Sequence, residues 1–182
     1  KYSATAGGSL ASASESGDDA IWDGASIDMA LEVLTPTDKP LTRLELINFS
    51  MQNSVIAISV SHTDLVILSD MTFRSNQTRV VGLYDPSLET RLEIRNSLFE
   101  SNQCPVRAPY DDLLVTGSTF RENTCAAPYC SSSPCYGGAI YGDVDGNAIV
   151  EDSIFIGNSS GERGGAVANV TQIIGSYFES NF

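Results

Sequence analysis

The residues in this chain that could do chemistry are few and sit in short phrases. Paired aspartates occur at Asp18-Asp19 in "SGDDAIWDG" and at Asp111-Asp112, while Asp143 and Asp145 flank one valine in "GDVDGN". Carboxylates so spaced can activate water or hold a hard cation, and "GDVDGN" opens like a calcium loop. The later ligands of such a loop, notably its closing Glu, are missing. An ordinary Asp- and Gly-rich turn is therefore the preferred reading, with Asp143 and Asp145 kept as weak calcium candidates. His62 is the only histidine and has no nucleophile or metal-ligand spacing beside it. Cys104, Cys125, Cys130 and Cys135 follow one another at spacings of 21, 5 and 5, which resemble no zinc finger or ribbon. These residues assign no catalytic group, no metal and no cofactor.

The composition narrows the classes further. Ten basic against 23 acidic residues give a formal charge of −13, which repels nucleic acid and anionic membranes. No stretch approaches the roughly 18 consecutive apolar residues of a membrane helix, so this segment is expected to insert in no membrane. The chain begins at Lys1 and is expected to be a processed form or a piece of a longer protein. Clustered cysteines, together with glycosylation-type tripeptides at Asn48, Asn76, Asn158 and Asn169, favour an oxidising secretory route and an extracellular or cell-surface location.

What positions these residues is a repeat. Phe-x-x-Asn occurs at Phe73/Asn76, Phe99/Asn102, Phe120/Asn123, Phe155/Asn158 and Phe178/Asn181, with Phe-to-Phe steps of 26, 21, 35 and 23. Seven Phe and ten Asn would not recur this way by chance. "NFSMQN" at Asn48 reads as a degenerate copy with Met51 in the Phe place and Asn53 in the Asn place. A second phrase, "GGAIY" at Gly137 and "GGAVA" at Gly164, has looser versions "VIAIS", "VVGLY" and "VRAPY", aligned on Ala57, Gly82 and Ala108. Short apolar runs such as "LVIL", "LEI" and "LLV" precede each Phe.

A period in the twenties, short strands and no helical pattern between them predict an all-β fold, a parallel β-solenoid with one coil per unit. Matching positions in successive coils then lie about 4.8 Å apart, so Phe stacks on Phe and Asn amides bond above and below as a ladder. That reading turns Asn76 and Asn158 inward and leaves Asn169, then Asn48, as the glycosylation candidates. Cys104 and Cys125 each lie five residues after a repeat Phe, so a vertical disulfide between coils is favoured, with Cys130 and Cys135 closing a loop. Four cysteines allow two other pairings.

Residues 1–16 are expected to be an irregular segment or linker, and residues 17–182 one solenoid domain. "DDAIW" at Asp18 is read as a decayed first copy lying over Gly137–Tyr141, and "SIDMALEVL" at Ser26 as a strand. Comparing coils places insertions at "CSSSPC" and near "GDVDG", where solenoid partners bind. No polar cap follows Asn181, so further coils or other protein subunits are expected to stack at the C-terminal end.

The glycine phrase and Phe-x-x-Asn together resemble the repeats of the chlamydial polymorphic outer membrane proteins, which also occur in surface proteins of microbial eukaryotes. The resemblance covers roughly residues 18–182. It implies a right-handed parallel β-helix of about six to seven coils, exposed outside the cell as an adhesive or structural module without catalysis, in contact with glycans or a cell surface and open to assembly into a filament. The competing class on this fold is a lyase, hydrolase, epimerase or glycan-binding module, which needs acids and bases gathered on one outer face.

Overall fold

The computed structural model describes residues 10–13, 20–27, 31–33, 41–53, 58–60, 63–77, 80–83, 90–108, 112–127, 135–142 and 147–182. Among them every regular element is a strand, and every strand pairing but one is parallel. Apolar residues at alternate positions explain the strands: Leu92 and Ile94 point in and are buried, while Arg91 and Arg95 point out. The neighbouring coils repeat the pattern with Leu113 and Val115, then Ala148 and Val150.

Three strand columns run through the coils, and Thr124–Cys125 with Ser159–Ser160 adds a short fourth pair in two of them. In one column Thr63–Ser69, Arg91–Arg95, Asp112–Thr116, Ala148–Glu151 and Gln172–Ile174 pair in order. After a corner, Thr72–Arg74, Leu98–Glu100, Thr119–Arg121, Ile154–Ile156 and Tyr177–Glu179 form the Phe column, with Phe73, Phe99, Phe120, Phe155 and Phe178 in register. On the facing sheet Ile58–Val60, Val81–Leu83, Val106–Arg107, Ile140–Tyr141 and Val167–Ala168 stack. The core fills the space between the sheets.

The corners explain how the coil turns with so little glycine. Three residues before the Phe place, Asp70, Asn96, Gly117, Asp152 and Gly175 all have φ between 46° and 59°, as does Asn48 below them. Asn, Asp and Gly are the types that enter this left-handed region most readily. At the second corner, two residues after the Phe place, Asn53, Ser75, Ser101, Glu122, Gly157 and Ser180 do the same. Ser and Glu tolerate it less well, and the ladder holds them there: Ser75, Ser101 and Glu122 donate their N–H to carbonyls of Glu100, Arg121 and Ile156 in the next coil at 3.1, 3.0 and 2.9 Å.

The first coil is set differently from its sequence reading. β1 (Leu10–Ala13) lies in the stretch expected to be irregular and pairs antiparallel with β2 (Ala20–Ile27). β2 runs beside β4 (Leu41–Gln52), with Trp22 opposite Leu46 and Ile27 opposite Met51, whereas β3 (Leu31–Val33) pairs with Ile58–Val60 on the facing sheet. Ala20–Trp22 therefore matches the run ahead of the Phe place and not Gly137–Tyr141. "SIDMALEVL" is likewise divided between two sheets.

Two further registers shift. The pairings Val81 with Val106 and Val106 with Ile140 put Val80 and Pro105, not Gly82 and Ala108, in the place of Ala139. Strand direction and hydrogen bonding decide this register, and a small residue near an apolar one is too weak a mark to fix it. Asn53 occupies the exposed second corner, equivalent to Ser75, and not the ladder place. The solenoid has about five turns, slightly fewer than the six to seven expected.

Candidate functional site

The repeated phrases build a shared interior. Asn102 donates from Nδ2 to Asn123 Oδ1 (3.1 Å) and to the Phe73 carbonyl (3.0 Å), while its own Oδ1 accepts from Nδ2 and the backbone N–H of Asn76. Asn123 and Asn158 repeat the arrangement, which reaches Asn181. Both amide hydrogens and both oxygen lone pairs of a central Asn are thereby used, which is what permits a primary amide to be buried. The rings beside them stack at 4.6 to 5.0 Å between centroids from Phe73 through Phe178.

A serine ladder runs parallel to these and escaped the sequence reading. Ser97, Ser118 and Ser153 each donate from Oγ to the carbonyl two residues earlier and accept a backbone N–H from the preceding coil. Ser176 closes the column. Its signal was present as Ser-x-Phe in "NSLF", "GSTF", "DSIF" and "GSYF".

The glycine phrase marks the other side of the coil. Gly137 and Gly164 both have φ of 66°, and a Cβ on Gly138 would stand 2.0 Å from the Gly165 carbonyl oxygen, so the backbones approach closer than a side chain allows.

Cys104 and Cys125 form a disulfide across adjacent coils with Cα atoms 4.4 Å apart. Cys135 is disulfide-bonded as well and packs in the same buried cluster. Cys130, and the "CSSSP" loop with it, lie outside the described residues. So do Asp143 and Asp145, His62, and Asp18 with Asp19. Among the described residues no group of three or more His, Cys, Asp or Glu side chains stands together as a metal site.

On the outer face the charges pair along and between strands. Arg91 and Arg95 both hold Glu93, Arg43 holds Glu45, and Glu100 sits between Arg74 and Arg121 of its two neighbouring coils. Desolvation raises the Glu100 carboxyl, but the hydrogen bonds and charges of Arg121 and Arg74 outweigh it and hold it below the ordinary carboxylate range. Arg107 lies 5.0 Å from the Tyr141 ring centroid. A depression of about 360 Å³ is lined by Leu113, Leu114 and Ile149 together with Arg91, Asp112, Asn147 and Glu151. Asn48 is exposed on a corner, Asn169 is half-buried, and Asn76 and Asn158 are buried in the ladder.

One window ties this geometry to known proteins. Residues 117–143 match the Chlamydia polymorphic membrane protein repeat. The matched repeat runs from the corner glycine Gly117 through Ser118, Phe120, Asn123 and Cys125 to the glycine phrase, so it contains one member of each inner ladder. It is the repeat of a family of outer-membrane surface proteins with a β-helical fold. No curated protein and no solved structure matches the chain.

Proposed function

We propose that this chain is a non-catalytic, surface-exposed β-solenoid module that gives stiffness and meets partners through its inserted segments. The observation supporting this reading is the unbroken run of Phe, Asn and Ser ladders through coils whose outer faces differ. The inside is devoted to coil-on-coil register, and the outer arginines described above are engaged by Glu93, Glu45 and Glu100. The matched repeat supports a cell-surface location and a structural or adhesive role. Contacts with glycans or a cell surface are assigned to the insertions around Cys130–Cys135 and Asp143–Gly146, where solenoids collect their partners. The test is turnover of uronate polymers with and without calcium, beside negative-stain imaging of the purified material. Absence of turnover with elongated particles is expected, and turnover lost on Asp112→Asn would overturn the reading.

A second reading is glycan binding without turnover, supported by the depression lined by Leu114 and Ile149: aliphatic side chains beside Arg91, Asp112 and Glu151 suit a sugar ring. Saturable oligosaccharide binding abolished by Asp112→Asn, with no product formed, would select it.

A further inference from the structure

The first copy of the glycine phrase lies between the two insertions, and the tyrosines that flank it form a group with two arginines. Tyr136 follows directly on Cys135, and Tyr141 precedes Asp143 by two residues. Alternation sets Ile140 in the core and Tyr141 on the opposite face, with Arg107 in register one coil earlier. The Arg107 guanidinium carbon lies 5.0 Å from the Tyr141 ring centroid, and that of Arg163 lies 5.6 Å from the Tyr136 centroid. Both rings are half-buried, 6.0 Å apart and tilted by 52°. At the matching position of the next coil Ala168 offers only a methyl group beside Tyr141. Arg43, Arg74, Arg91, Arg95 and Arg121 are held by glutamates, whereas Arg163 is exposed and makes no ion pair among the described residues. Glu162 beside it turns its carboxylate to the Cys135 N–H at 3.4 Å. The backbone under the group is firmly held: a parallel bridge joins Tyr136 to Arg163, and Gly137 and Gly138 donate to the Arg163 and Gly164 carbonyls at 2.9 and 3.1 Å.

We infer that Tyr136, Tyr141 and Arg163 form a binding site for a uronate saccharide, a pyranose bearing a carboxylate, with Arg107 as a positioning residue against Tyr141. Tyrosine rings take the C–H face of a sugar at little cost in side-chain entropy. A guanidinium held over a ring keeps its in-plane N–H groups for an anion, and a carboxylate fits that fork. Charge selects the ligand as well: on a chain of formal charge −13, Arg163 is a cation left for an incoming anion. An acidic peptide supplies the carboxylate but no flat C–H face for the rings. The inference rests on the glycan contact assigned to the two insertions and deepens it by naming the residues between them. It lies on a different sheet from the depression lined by Leu114 and Ile149.

The experiment titrates tetragalacturonate into the full chain by calorimetry with calcium chelated, beside the same oligomer with its carboxyls methyl-esterified. Saturable one-to-one binding of the acid is expected, with the ester about tenfold weaker, a comparison that needs no substitution. Arg163→Ala should weaken binding about tenfold, with Arg163→Lys recovering part of it, and Tyr136→Leu about fivefold, while melting temperatures report that each variant is folded. No saturable binding, equal binding of acid and ester, or binding indifferent to Arg163→Ala and Tyr136→Leu would overturn the inference. Loss of binding on Asp112→Asn alone would also overturn it, by placing the sugar in the other depression. Displacement by an equal concentration of tetraglutamate would do the same, by showing that charge alone is recognised. Failure here leaves the module reading standing, since that falls only on turnover.

Discussion

Asn123 and Asn158 are 35 residues apart in sequence, yet Nδ2 of the first donates to Oδ1 of the second across 2.9 Å inside the core. The longest insertion of the repeat lies between them without breaking the ladder, so the bond fixes the register of two coils irrespective of what the loop does. Asn123→Ala strands the Nδ2 and backbone N–H of Asn102, which donate to Asn123 Oδ1, and the Phe99 carbonyl, which accepts from Asn123 Nδ2. A loss of roughly 3 kcal/mol is expected in the denaturation midpoint at unchanged slope, against less than about 0.5 kcal/mol for Asn53→Gly at the exposed corner.

The two other inner ladders should separate by mechanism. Phe120→Ala removes a ring stacked on both sides, at 4.6 Å from Phe99 and 5.0 Å from Phe155, and should cost about 3–5 kcal/mol. Ser118→Ala removes little volume but takes the acceptor from the Ser97 N–H, and should cost about 1–3 kcal/mol. Equal costs for the two variants in urea melts would show that the serine column does more than satisfy one donor.

Reduction should act through the unfolded chain. The Cys104–Cys125 bridge closes a loop of 21 residues, so Cys104→Ser with Cys125→Ser should lower stability by about 3 kcal/mol while the described ladders keep their exchange protection. Global loss of protection in that variant would mean that the bridge is required for folding and not only for stability.

The pH response has two limbs of opposite sign. Glu100 is held below its ordinary value of 4.5, so its contribution is complete above the unfolded pKa and disappears as pH falls through the lower folded value. Tyr177 is raised above 10.0, first by its hydrogen bond to Glu179 and then by that carboxylate's charge, so its contribution is present below the unfolded pKa and lost as pH rises through the folded one. Glu100→Gln should flatten the acid limb of a melting-temperature profile. The effect should shrink in high salt because the site is open to solvent.

Glycosylation separates the four tripeptides by geometry. Expressed through a eukaryotic secretory route, the chain should carry glycan at Asn48, exposed on its corner, and none at Asn76 or Asn158, whose amide hydrogens are spent in the ladder. Asn169 should be occupied less than Asn48, since it is half-buried and the Thr171 hydroxyl of its tripeptide already accepts the Ala148 N–H at 3.2 Å. Peptide mapping after enzymatic deglycosylation reads all four, and glycan on Asn158 would contradict the buried ladder.

By itself the sequence determined the solenoid and its two strongest columns. A buried amide or ring in a parallel stack is best served by its own kind above and below, so Phe and Asn must recur at fixed spacing, and recurrence is visible in a string of letters. The same logic made the Ser-x-Phe column legible in principle, but serine is too common on surfaces for its burial to be inferred. Only the tertiary structure decided the rest. The second corner accepts Ser, Glu, Asn or Gly because neighbouring coils hold the left-handed backbone, so no residue type announces it. The register of the facing sheet follows from hydrogen bonds along strands two or three residues long, which is why Val80 and Pro105 displaced Gly82 and Ala108. The first coil, too, was settled in space: β2 could be matched to β4 only once the chain had wound past it, since a strand's place in a sheet is fixed by the partner it pairs with and not by the phrase it spells.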